Sequence, residues 1–156
     1  MAANTGRTTS KWTTFKVDDS SGTLREIAVS SINGVGLDYD MVDLTAFYDA
    51  IHGALPAHPS CKIDITGPFD TTATTGSHIV LSGIAGLLPS TYLSLGVWIG
   101  VRHAWDAEPV FGLTGTAANG FICTSYKVSP QDGTYTATFE VAPGCAAPAW
   151  GTTAIT

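Results

Sequence analysis

Cys61-Lys62-Ile63-Asp64-Ile65-Thr66 is the stretch whose reading decides the fold. Apolar Cys61, Ile63 and Ile65 alternate with polar Lys62, Asp64 and Thr66, the period of a β-strand with one dry face and one wet face. Residues 120–128 and 133–141 supply further strands, the second with the same alternation over 134–140, and between them Ser129-Pro130-Gln131-Asp132-Gly133 predicts a hairpin turn, because Pro and Asp-Gly favour the dihedrals it needs. Residues 11–17 (Lys-Trp-Thr-Thr-Phe-Lys-Val) and 109–113 add further short strands. Residues 91–101 carry Tyr92, Leu93, Leu95, Val97, Trp98, Ile99 and Val101, apolar on nearly both faces, which predicts a central strand.

The connections are less regular. Asp18-Asp19-Ser20-Ser21-Gly22 reads as a turn, residues 23–32 as extended or partly helical, and Asn33-Gly34-Val35-Gly36 as a break. In residues 42–47, Val42, Leu44 and Ala46 alternate with Asp43, Thr45 and Phe47, predicting a half-buried strand. Residues 48–55 predict a short helical turn stopped by Pro56 and Pro59. After a Thr-rich loop at 69–76, Ser77 stands where a helix N-cap would. Ile79, Val80, Leu81, Ile84, Leu87 and Leu88 then recur at helical spacing until Pro89. About seven or eight strands with one helix predict a mainly β protein, a β-sandwich or open barrel with one flanking α-helix. Residues 1–10 read as a flexible arm, 11–142 as the β-rich domain and 143–156 as a C-terminal arm, with no internal repeat.

At 156 residues the chain fits one domain that buries roughly two thirds of its unfolded surface. Only 13% of residues are charged, about half the usual share of roughly 25%. A surface of Thr, Ser, Gly and Ala raises little electrostatic barrier to self-association, as suits a subunit surrounded by copies of itself. The balance is acidic, 7 Lys+Arg against 13 Asp+Glu, and no basic run exists to grip phosphates, which disfavours nucleic-acid binding. No apolar run reaches the roughly 18 residues of a membrane helix. The first ten residues lack the apolar centre of a signal peptide, so the chain is expected to stay in the cytoplasm where it is made.

Cys61, Cys123 and Cys145 cannot all pair within the chain and show no metal spacing; Cys61 and Cys123 read as small apolar core residues. Gly-x-Ser-x-Gly, P-loop and His-Glu-x-x-His motifs are missing, and Gly34-Val35-Gly36 lacks the third glycine of a dinucleotide loop. Asp38, Asp40 and Asp43 could offer oxygen ligands to a hard cation, but without the glycine and terminal glutamate of a calcium loop they read as a solvated acidic loop. His103, Asp106 and Glu108 read as an exposed strand connection rather than an acid/base set, and His52, His58, His78 and His103 share no ligand spacing. No catalytic residue, metal or cofactor is therefore expected. Trp12 and Trp150 flank the ends of the chain and need burial, either at home or against a neighbouring subunit.

Several elements together resemble the tail tube (major tail) proteins of long-tailed bacteriophages with non-contractile tails. They are Thr14-Phe15-Lys16-Val17-Asp18 with Gly22-Thr23; Val42-Asp43-Leu44-Thr45-Ala46-Phe47 with Asp49; Ile65-Thr66-Gly67-Pro68-Phe69-Asp70; and the stretch from Tyr126 through Asp132-Gly133-Thr134-Tyr135 to Trp150-Gly151-Thr152. The likeness spans most of the chain in loose motifs, and Tyr48 stands where such proteins often carry glycine. It implies a structural virion protein that self-assembles into stacked six-fold rings, the conduit for DNA during ejection. The implied partners are copies of itself, the tape-measure protein, the tail terminator and distal tail proteins, with DNA passing unbound. A capsid decoration protein of the same phages is the alternative, and a small carbohydrate-binding or hydrolytic β-domain a third class.

On this reading Trp12, Asp43, Thr45, Phe47, Thr71, Thr72, Thr74 and Trp150 are expected at subunit interfaces, with loops 33–48 and 69–76 joining stacked rings. Duplex DNA carries a negative charge about every 1.7 Å of its axis, so the inner wall is expected to be polar with acids. Asp64 and Glu140, on the wet faces of their strands, are the lumen candidates, with Lys16, Arg102 and Lys127 paired or turned away.

Overall fold

The computed structural model describes residues 13–87, 97–101, 110–113 and 120–151. Along the chain run β1 (Thr13–Asp18), β2 (Leu24–Glu26), β3 (Ser31–Asn33), β4 (Asp38–Asp43), β5 (Ala54–Ser60), β6 (Lys62–Pro68), the helix α1 (Ser77–Ile84), β7 (Val97–Val101), β8 (Val110–Leu113), β9 (Phe121–Ser129), β10 (Thr134–Val141) and β11 (Ala149–Gly151). The protein is mainly β with a single described helix. Its strands pair antiparallel in a five-stranded sheet, β11-β8-β7-β1-β2, a four-stranded sheet, β3-β6-β10-β9, and a separate two-stranded sheet, β4-β5.

The two larger sheets share one core. From the first come Phe15 and Val17 of β1 and Phe111 of β8; from the second come Ile63 and Ile65 of β6 and Ala137 and Phe139 of β10, all buried. The Phe15 and Phe139 rings meet with centroids 5.6 Å apart. Helix α1 adds Val80, Leu81 and Ile84 to the same cluster and packs on β9. Cys61 and Cys123 are buried, and burial pushes both thiols up to about 11, as inert core residues require.

Several local expectations change. Residues 23–32 take the extended alternative of their reading and supply most of β2 and β3, with no helical part. The strand expected over 42–47 runs from Asp38 to Asp43 instead and is exposed throughout, because no core lies beneath it. Residues 54–60 form β5 with Pro56 and Pro59 inside it, which a two-stranded ladder tolerates because each strand has an open edge. The helix N-cap is Gly76, and the buried Ser77 Oγ instead donates to the Pro68 carbonyl (2.9 Å) and accepts from the Asp70 amide (3.1 Å). Helix α1 stops at Ile84, since Ala85 leaves helical geometry to bridge Cys123 and Gly86 takes φ +76°. Strand β7 lies in the middle of its sheet, as expected for a central strand; the expected residues 91–96, and with them His103, Asp106 and Glu108, lie outside the described residues. Within 143–156, Ala149–Gly151 pairs with β8.

Candidate assembly interface

The β4–β5 hairpin leaves the body at Gly34 and returns at Cys61. Gly34 has φ +80°, and a Cβ there would stand 2.1 Å from the Lys62 carbonyl oxygen, so only glycine passes this crossing. Beyond it the ladder runs from Asp38↔Ser60 to Asp43↔Ala54, with a bulge between Tyr39 and Met41. The Leu44 amide bonds the Gly53 carbonyl at 2.9 Å and carries the pairing into the tip.

The tip is built rather than loose. Asp43 Oδ1 accepts from the Thr45 amide (2.9 Å) and from Thr45 Oγ1, while Thr45 Oγ1 accepts from the Gly53 amide (2.9 Å). The Thr45 hydroxyl bond, then its amide, hold the Asp43 carboxyl below the usual carboxylate range. Asp49 Oδ2 caps the Ala46 amide (2.7 Å), and the Asp49 amide returns a bond to the Ala46 carbonyl (3.0 Å). This frame holds Phe47 and Tyr48 in water, 111% and 91% exposed, with Ile51 at 81%. Tyr39, Met41, Val42, Leu44 and Leu55 on the ladder are also largely exposed. A two-stranded hairpin is marginal alone in water, and eight large apolar residues facing solvent on one element mark a contact surface.

The structure thus brings Asp43, Thr45 and Phe47 together at one tip. Thr71, Thr72 and Thr74 lie on a different loop, all exposed, where Asp70 Oδ1 accepts from the Thr72 amide (2.9 Å) and hydroxyl (2.7 Å) and Thr74 takes φ +72°. Trp150, on the edge strand β11, stacks at 5.1 Å on Phe111 and stays 54% exposed, so it packs at home on one face only. Trp12 lies outside the described residues.

Asp64 and Glu140 project from the wet face of the four-stranded sheet. Asp64 Oδ1 accepts from Thr138 Oγ1 at 2.6 Å, and Glu140 stands opposite Lys62. Ser31, Thr66, Thr136 and Lys127 share that face by register, so two lysines accompany its two acids among hydroxyls, and Lys127 is not turned away from them as expected. Among the described residues no His/Cys/Asp/Glu group could hold a metal ion, and no helix is long and apolar enough to cross a membrane.

Sequence reasoning placed residues 33–48 in a contact loop but did not single out Tyr39, Met41, Leu44 or Tyr48 there, nor Ile51 and Leu55 beyond it, as exposed apolar residues. The available signal was Pro56 and Pro59 only three positions apart, a spacing that bars a run from a sheet interior.

These features define a class: two antiparallel sheets around one core, a flanking helix and a projecting apolar hairpin. No protein-family model and no curated protein matches the chain. Solved structures with this fold exist. A chain of the PVC sheath/tube terminator of an extracellular contractile injection system, in extended state, has a TM-score of 0.61 at 10% identity, covering 93% of this chain and 96% of its own. A chain of the PVC sheath-tube complex scores 0.61 at 9% identity, covering 96% and 95%. The cap of the anti-feeding prophage, a tube-terminating cap, scores 0.61 at 10% identity, covering 98% and 100%. The shared feature is the fold over nearly the whole chain, and two of these three structures come from a contractile system, so the comparison does not single out non-contractile tails.

Proposed function

We propose that this protein is a structural subunit of a phage-type tail, assembling with copies of itself into rings that stack as a tube for DNA. The observation that carries the reading is the β4–β5 hairpin, whose preorganised tip exposes Phe47, Tyr48 and Ile51 in a chain with few charges to keep copies apart. The fold shared with tube and terminator chains supports it. The four-stranded sheet supplies the bore on this reading, with Asp64 and Glu140 inside; the loop bearing Thr71, Thr72 and Thr74, Trp150, Trp12 and the arms at 1–10 and 143–156 join neighbours. The tape-measure, terminator and distal tail proteins are the further partners, the virion tail is the location, and no catalysis is involved.

A second reading, a ring that ends a tube, is favoured by the fold neighbours that are a terminator and a cap. Negative-stain electron microscopy of the purified full chain tests both. Stacked rings or tubes that vanish in Phe47→Ser/Tyr48→Ser support the tube; discrete rings that never stack support the terminator. Uniform monomers at all concentrations, or particles seen only on capsids, would overturn the tail assignment, the latter in favour of a decoration protein.

A further inference from the structure

An open groove of about 530 Å³ lies at the opposite end of the hairpin from its tip. It is lined by Leu37 just before β4, by residues 58–60 at the end of β5, and by Glu140, Val141, Ala142, Ala147 and Pro148 from the end of β10 and the segment after it. The volume falls within the roughly 300–1,000 Å³ of sites that enclose drug-sized groups, enough for aromatic side chains. Short Ala and Pro side chains leave the space open.

We infer that this groove receives the Phe47–Tyr48–Ile51 tip of a second copy of the chain. Three observations lead there. The tip is the most exposed apolar group among the described residues, and the groove is a concave surface on the same molecule whose apolar part adjoins His58, Ser60 and Glu140. The tip cannot reach its own groove: five residue steps from Asp38 to Asp43 at about 3.3 Å each hold the two ends roughly 17 Å apart along a hydrogen-bonded ladder. The side chains, rather than a new strand, must make the contact along β5, because Pro56 and Pro59 lack amide donors for β-addition. Each copy therefore gives a knob at one end and offers a hole at the other. Such a contact is heterologous, and it closes into a ring or runs on as a filament according to its rotation.

This docking presupposes that the protein assembles, and the test separates the two. Cys145 lines the groove. Full-length Ala50→Cys, which keeps Phe47, Tyr48 and Ile51 at the tip, is mildly oxidised at a concentration where the wild type forms multimers and is expected to give disulfide-linked dimers and longer ladders. Mass spectrometry should place the bond between positions 50 and 145, and Ala50→Cys/Cys145→Ser should lose the ladder. As a second measurement, Ala147→Trp, which fills the groove, is expected to weaken association at least tenfold while melting like the wild type.

Multimers without a 50–145 bond would overturn the groove and leave assembly standing; that result would also point to another occupant, such as residues 1–12 of the same chain. A 50–145 bond within a single chain, or Ala147→Trp assembling like the wild type, would overturn it equally. A wild type that stays monomeric would remove both.

Discussion

Tyr135 shows how one buried polar atom ties the sheet to its surroundings. Its hydroxyl donates to the Ala28 carbonyl at 2.7 Å, and its ring fills the space against Gly67, where a Cβ would come within 2.8 Å of the hydroxyl oxygen. The side chain is only 1% exposed. Burial, then the neighbouring Tyr126, raises its pKa above the ordinary value of 10. A raised pKa means the fold binds the proton more tightly than the unfolded chain, so this contribution is complete below about pH 10 and is lost as pH rises past it. Tyr135→Phe should cost about 0.5–1.5 kcal/mol at pH 7, the net worth of one hydrogen bond to the exposed Ala28. It should also flatten the alkaline limb of a stability-versus-pH curve measured by urea titration. An unchanged slope above pH 10 would show that the hydroxyl does not govern that limb.

At the scale of elements, the loop at 69–76 and the hairpin are built in the same way, with Asx-type bonds setting an exposed tip. The loop's ends already meet, since the His78 amide bonds the Asp70 carbonyl at 3.0 Å. Excising residues 71–75 makes Asp70 and His78 the first and fourth residues of a four-residue turn, closed by the bond that exists now. The deletion is therefore expected to fold, with a melting temperature within a few degrees of the wild type, and to lose stacking of rings while keeping single rings. Tubes of normal length from the deletion would remove this loop from the ring-to-ring contact. The hairpin was only partly legible. Val42, Leu44 and Ala46 against Asp43 and Thr45 read as half-buried, because alternation states that two faces differ and not that anything covers either.

For the whole molecule, the net charge opposes association only modestly. Each subunit carries net −6, so packed copies repel over distances of about 8 Å at physiological ionic strength. If the contacts are apolar, as the hairpin and groove indicate, raising NaCl from about 50 to 500 mM should screen that repulsion and increase the multimer fraction seen by sedimentation velocity. Dissolution of the assemblies by salt would mean that ion pairs hold them instead.

Local pattern by itself determined the strands β1, β6, β9 and β10, the turn at Asp132-Gly133, the presence of one helix, the burial of Cys61 and Cys123, and the mainly β class. Each follows from a period, a turn dipeptide or a composition that acts over a few residues. Only the tertiary structure decided that β1 pairs with β7, that β3 joins β6, that β4 and β5 stand apart from the core, and that residues 37, 58–61, 140–142 and 145–148 line one open groove. Those outcomes depend on partners tens of residues away. The side-chain period fixes which face of a strand is apolar, while the choice of neighbour is made by packing over the whole chain.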